Sequence, residues 1–171
     1  MEEKIIKLNE IKVAIFDFDD TLAIHQDKEF FKHRNESESN FLNYFINAYT
    51  KPNSFYDTIE PCSVLEPLYK LVMFFKKSGV KMYCVTGMQF SFNIKAKEAF
   101  VHNHYSDKIE VISTNSQKSK VEAIKIISKL NDCKLNEILF VDDLEENIAR
   151  FKNIGIKALL PSEVGILSKD L

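Results

Sequence analysis

Five short apolar runs constrain this chain more than any other feature: Lys12–Phe16, Val80–Val85, Ile109–Ser113, Ile138–Val141 and Ile156–Leu160. Each is too short for a helix and nearly continuous rather than alternating, the pattern of a strand covered on both faces in a parallel sheet. Between them lie segments of helical period. Residues 64–78 bring Val64, Leu65, Leu68, Leu71, Val72 and Phe75 to one face, and 118–130 do the same with Val121, Ile124, Ile127 and Leu130. Gly79 and Gly155 each stand between a helical segment and an apolar run, where a glycine at the helix C′ position turns the chain into a strand. Alternating β and α elements predict a doubly wound, Rossmann-like α/β domain: a parallel sheet of about five strands with helices on both faces.

The rhythm breaks once. Residues 23–61 separate the first strand from the next helix, far more than the roughly two to six residues of an ordinary βα loop. They hold the charged patch Lys32–Glu38 and a helix-like stretch, Phe41–Tyr49. We expect a small, mainly helical cap inserted into a single domain spanning 1–171. Of the twenty aromatics, eight (Phe30, Phe31, Phe41, Tyr44, Phe45, Tyr49, Phe55, Tyr56) fall in this insertion, which marks it as a compact piece packed over a site. His25 and His33 are expected to be surface or cap residues.

Composition removes several function classes. The 171 residues carry 23 Lys and Arg against 25 Asp and Glu, a net charge of −2, which argues against nucleic acid or a polybasic membrane surface as partner. Only four glycines occur, at 79, 87, 155 and 165, so neither GxGxxG nor GxxxxGK[ST] can be written. Cys62, Cys84 and Cys133 are odd in number and widely spaced, which speaks against a disulfide framework or a cysteine-rich zinc site. No stretch reaches the roughly 20 apolar residues of a membrane span and the N-terminus has no signal-like apolar region, so a soluble cytoplasmic protein is expected.

Ligands of open α/β sheets bind at the carboxyl ends of the strands, so the residues at the end of each run matter. The first ends in Asp17-Phe18-Asp19-Asp20-Thr21, the second in Thr86-Gly87, and the fourth in Asp142-Asp143. After the third come Lys118 and Lys120, entering a helix. Packing does not ask for carboxylates at one rim, and crowding them there costs repulsion unless a cation offsets it. A hard divalent ion such as Mg²⁺, shared with a phosphate, suits such a set. If the first strand continues through Asp17-Phe18-Asp19, both carboxylates address one site while Phe18 packs inward. One carboxylate held ionised and the other protonated are what a nucleophile and a general acid need. Thr86, with the backbone N–H groups of Gly87 and Met88, can donate to phosphoryl oxygens, and a lysine can neutralise developing charge.

These residues resemble the four motifs of the haloacid dehalogenase-like hydrolase superfamily, in order, over about residues 11–160. Asp17-Phe-Asp19-Asp20-Thr21 is similar to its DxDxT motif, Thr86-Gly87 to the second, Lys118 or Lys120 to the third, and Asp142-Asp143 to the fourth. The resemblance implies Mg²⁺-dependent chemistry through an aspartyl intermediate. The second aspartate favours phosphoester hydrolysis, since the dehalogenases of the superfamily lack it. The roles so implied are Asp17 as nucleophile, Asp19 as acid and base, Thr86 and Gly87 as phosphate ligands, and Lys120, with Lys118 two residues away, as the cation. Asp17, Asp19 through its main-chain carbonyl, Asp142 and Asp143 are implied to hold the metal. The expected substrate is a small phosphorylated metabolite. A phosphotransferase or mutase, or a silent protein that binds Mg²⁺ or a phosphorylated partner, would use the same rim. Each residue also has a bland account. Asp143 with Glu146 makes a capping box, Thr86 caps the following helix, and 17–21 is a polar turn. His102 and His104 lack a third metal ligand, and Cys84 reads as a small core residue.

Overall fold

The computed structural model describes residues 6–25, 32, 33, 37, 39, 40, 43, 44, 47, 59–61, 66–87, 92–115 and 117–167; of residues 25, 59–61, 92, 93, 117 and 118 it describes the backbone alone. In chain order the main elements are β1 (Val13–Phe16), β2 (Ala23–His25), β3 (Ile59–Pro61), α1 (Glu66–Ser78), β4 (Lys81–Gly87), α2 (Phe92–His104) and β5 (Ile109–Thr114). They continue with α3 (Gln117–Leu130), β6 (Ile138–Val141), α4 (Glu145–Asn153) and β7 (Lys157–Leu159). The five apolar runs are the five strands of one sheet, ordered β5-β4-β1-β6-β7 and parallel throughout.

Burial on both faces explains why these strands read as continuous apolar runs. Ala14, Phe16, Met82, Cys84, Leu139 and Val141 share a core with Leu68, Leu71, Val72 and Phe75 of α1 and Phe100 and Val101 of α2. The alternate residues Val13, Ile15, Tyr83, Val85, Ile138 and Phe140 join Ile124 and Ile127 of α3 and Ile148 and Phe151 of α4 on the other face. The two helix-ending glycines do what their positions require. Gly79 (φ 71°) and Gly155 (φ 91°) are left-handed, and the N–H groups of Val80 and Ile156 reach back to the Phe75 and Phe151 carbonyls.

The chain winds from β1 outward through β4 to β5, then crosses back to β6 and β7, so the winding reverses between β1 and β6. Register places Phe16 beside both Val141 and Cys84. Residues just past these strand ends therefore share one crevice, the place where this architecture takes ligands.

Three expectations are corrected. First, β1 stops at Phe16 and the chain turns, with Asp20 in the left-handed region (φ 55°), so Asp17 and Asp19 do not lie on one continuous strand. Second, α4 begins at Glu145 after Leu144, so no Asp143–Glu146 capping box forms; Glu146 pairs with Arg150 instead. Third, Thr86 and Gly87 both belong to β4, so Thr86 stands in a strand and not at a helix cap. Most of the insertion expected at 23–61 lies outside the described residues. Its two ends pair as the antiparallel strands β2 and β3, and Tyr44 packs against the first core. Among the described residues no helix is long and apolar enough to cross a membrane.

Candidate active site

The site grows from the ends of β1 and β6. The Asp17 N–H donates to the Val141 carbonyl (2.9 Å) and the Asp142 N–H to the Leu159 carbonyl (3.3 Å), so the sheet ladder fixes both backbones one step beyond the strands. Lys120, in the first turn of α3 and only 3% exposed, closes the gap between their side chains. Its ammonium lies 2.9 Å from Asp17 Oδ1 and 2.9 Å from Asp142 Oδ2. Burial opposes the charge on Lys120, but the two carboxylates outweigh it and the net shift of its pKa is upward. Lys118 belongs to the same helix turn, and its side chain lies outside the described residues.

Asp142 is fully committed within the protein. Its Oδ2 accepts from Lys120, and its Oδ1 accepts from the Leu144 N–H (3.0 Å) and the buried Asn147 amide (2.8 Å). Asp143, next along, is half-buried, and oxygens of Asp17, Asp142 and Asp143 lie within 4.8 Å of one another. One ammonium among three carboxylates leaves excess negative charge. Burial, then Asp17, Asp142 and Asp20, push the Asp143 pKa from its ordinary 3.8 up to about 7. Asp17 is raised to about 6, by burial first; Lys120 opposes this, while Asp142 and Asp19 add to it. An oxygen-rich, under-neutralised cluster of this kind fits a hard divalent cation.

Asp19 faces a different cation. Lys97, on α2, donates to Asp19 Oδ2 at 2.7 Å and to Thr86 Oγ1 at 2.8 Å, and lies 4.7 Å from the centre of the Phe18 ring. Thr86 is fully buried at the end of β4, and its own hydroxyl is 3.3 Å from the Gly87 carbonyl. Met88 lies outside the described residues. The structure thus joins Asp17, Lys120, Asp142 and Asp143 in one group, and Asp19, Thr86 and Gly87 in a second around Lys97. Sequence reasoning missed Lys97. The signal was present only as a lysine amid the apolar residues of Ile94-Lys-Ala-Lys97-Glu-Ala-Phe100. Cys84 is buried in the first core beneath the site, beside Phe16, and His102 Nε2 is 3.0 Å from the Ile109 carbonyl.

No protein-family model matches the sequence, and no curated protein matches it. Solved structures do. One is the N-terminal part of a Bacteroides fragilis protein, containing a phosphatase domain complexed with Mg (TM-score 0.58, 14% identity, 91% of this chain and 37% of that one). Another is a putative haloacid dehalogenase-like hydrolase from Bacteroides fragilis (0.55, 17%, 86% of each chain). A third is a HAD-family enzyme from Bacteroides thetaiotaomicron in complex with magnesium and inorganic phosphate (0.53, 18%, 88% and 93%). At these identities the likeness is one of fold.

Proposed function

We propose that this chain, which has the haloacid dehalogenase-like fold, is a Mg²⁺-dependent phosphatase that hydrolyses a small phosphomonoester through an aspartyl-phosphate on Asp17. One observation carries the reading. At the switch point of the sheet a single buried ammonium, Lys120, bridges Asp17 and Asp142 at 2.9 Å each, with Asp143 completing an under-neutralised carboxylate cluster. The phosphate and magnesium bound to the structural neighbours support it.

We assign the metal to the cluster of Asp17, Asp142 and Asp143, with Asp143 as the carboxylate that Lys120 leaves unpaired, and add the Asp19 carbonyl because the motif resemblance implies it. When bound, Mg²⁺ would offset the carboxylate charge and admit an anionic phosphate. Lys120 holds Asp17 Oδ1, which leaves Oδ2 to attack phosphorus in line with the ester oxygen. The P–O ester bond breaks as the Asp17–phosphorus bond forms, and Asp19 gives its proton to the departing oxygen. Asp19 then takes a proton from a water that attacks the aspartyl-phosphate, releasing inorganic phosphate and restoring Asp17. The Gly87 N–H donates to phosphoryl oxygens, Thr86, buried between Lys97 and the Gly87 carbonyl, holds the end of β4 in place for it, and Lys120 offsets the charge that builds on those oxygens.

The test is hydrolysis of a panel of sugar phosphates, nucleotides and an aryl phosphate by the wild type and Asp17→Asn, with Mg²⁺ or with EDTA. Turnover should need Mg²⁺ and fall by at least about 10³-fold in Asp17→Asn. A wild type inactive on the whole panel, or a variant that matches it, overturns the reading.

A further inference from the structure

Among the described residues, Lys97 is the buried cation that this mechanism leaves unused. It is 3% exposed, and its ammonium offers three protons to three acceptors: Asp19 Oδ2 at 2.7 Å, Thr86 Oγ1 at 2.8 Å and the Gly87 carbonyl at 3.4 Å. Two of these acceptors belong to the end of β4, and the third to the loop after β1. The ammonium is therefore a cross-brace between the phosphate-binding and proton-transferring sides of the site. Its own helix is braced against the same loop. Phe100 meets Phe18 edge-on (ring centres 5.5 Å apart), and the hydroxyl of Tyr105, just past the helix, donates to the Leu22 carbonyl at 2.8 Å. Positions 97, 100 and 105 thus fasten residues 19, 18 and 22 respectively.

We propose that Lys97 is a positioning residue for hydrolysis, a strut footed on Thr86 and Gly87 that fixes the Asp19 carboxylate where it meets the leaving oxygen. The proposal rests on the phosphatase reading above. Geometry gives the consequence. Asp19 is the more accessible partner, with a side chain 39% exposed against 4% for Lys97, so the buried ammonium restrains the carboxylate from behind. Holding Oδ2 at 2.7 Å fixes the rotamer of the whole carboxylate. Removing the ammonium leaves Asp19 in place but loosens that rotamer. Loosening harms the step in which a poor leaving group must receive a proton, and does little to a good leaving group that departs without one.

The experiment compares the wild type, Asp17→Asn, Lys97→Met, Asp19→Asn and the Lys97→Met/Asp19→Asn double variant, with Mg²⁺, on an alkyl phosphate and on p-nitrophenyl phosphate. Lys97→Met should lower kcat about 10²-fold on the alkyl ester and about tenfold or less on the aryl ester, with KM changed only severalfold. Added to Asp19→Asn, it should cost less than about threefold more, because it acts through Asp19. A lysine that merely supports the fold would slow both esters alike and multiply its loss onto Asp19→Asn; either result overturns the proposal, as do wild-type rates in Lys97→Met. Circular dichroism and melting check the fold, and Lys97→Gln carries the same comparison if Lys97→Met does not fold. Absence of Asp17-dependent turnover in the wild type overturns the phosphatase reading, and this one with it; that outcome is visible before any Lys97 variant is made.

Discussion

Lys120 and Lys118 sit two residues apart on the first turn of α3, and their contrast is the most direct probe of the site. The Lys120 ammonium is buried between Asp17 and Asp142, so replacing it strands two carboxylates in a place water hardly reaches. Breaking a buried pair from one side costs about 3–5 kcal/mol. Lys120→Met should show a loss of that size in urea unfolding without metal, and a fall in kcat of about 10³-fold with it. Lys118→Ala should keep near-wild-type values of both. Equal losses in the two variants would move the catalytic cation off Lys120. Asn147 offers a milder test: its amide holds Asp142 Oδ1 at 2.8 Å, so Asn147→Ala should cost about 1–3 kcal/mol by leaving a buried acceptor short of a donor. The aspartates and Thr86 could be read from the sequence because each comes after an apolar run, and a polar residue just past a buried strand has few structural reasons to be there; the lysine could be narrowed only to Lys118 or Lys120 at the start of the next helix. Their grouping could not, because the turn after Phe16 sends Asp17 and Asp19 to different lysines.

Among the elements, α2 shows where local pattern fails. The strands announce themselves because two covered faces demand unbroken apolar runs, and α1 and α3 because one face of each is apolar. In α2 the inward face includes Lys97 as well as Phe100 and Val101, while His102 and His104 come directly after, so no clean stripe exists to be read. The helix is amphipathic only if a buried ammonium counts as an interior residue, and that holds only because Asp19 and Thr86 supply its acceptors. The order of the sheet was hidden for a different reason, since it is set by which way each crossover turns and not by any local signal. The brace between Tyr105 and Leu22 belongs to this scale. Tyr105→Phe removes a buried hydroxyl from the Leu22 carbonyl and should destabilise the chain by about 1 kcal/mol, read as a lower urea midpoint with unchanged slope. Leu130→Ser, at a position 77% exposed, should stay within about 0.5 kcal/mol and serves as its control.

Across the whole molecule, the carboxylate cluster ties stability to pH and to magnesium with opposite signs. In the folded chain Asp143 holds its proton up to about pH 7 and Asp17 up to about pH 6, whereas both ordinarily titrate near 3.8. Between those limits the folded state binds more protons than the unfolded one, so without metal stability falls as pH rises through this window. Glu137, lowered by the Lys134 N–H and by Lys12, acts with the opposite sign but below its ordinary 4.5, and Lys120 acts above its ordinary 10.5, so neither sets the slope between. Mg²⁺ needs the deprotonated carboxylates and must displace their protons, so its stabilisation grows over the same window. Melting from about pH 5 to pH 8 in EDTA should show this cluster lowering Tm as pH rises, while excess Mg²⁺ should raise Tm by an amount that increases with pH. Asp143→Asn isolates the contribution from every other titrating group. In EDTA at about pH 8 it should melt at least as high as the wild type, each kcal/mol regained being worth about 2–4 °C in a chain of this size. In Mg²⁺ it should lose most of the metal-dependent gain. An Asp143→Asn protein that melts lower than the wild type without metal, or gains as much from Mg²⁺, would mean that the crowded charge is relieved within the protein and that the cluster is not the seat of the cation.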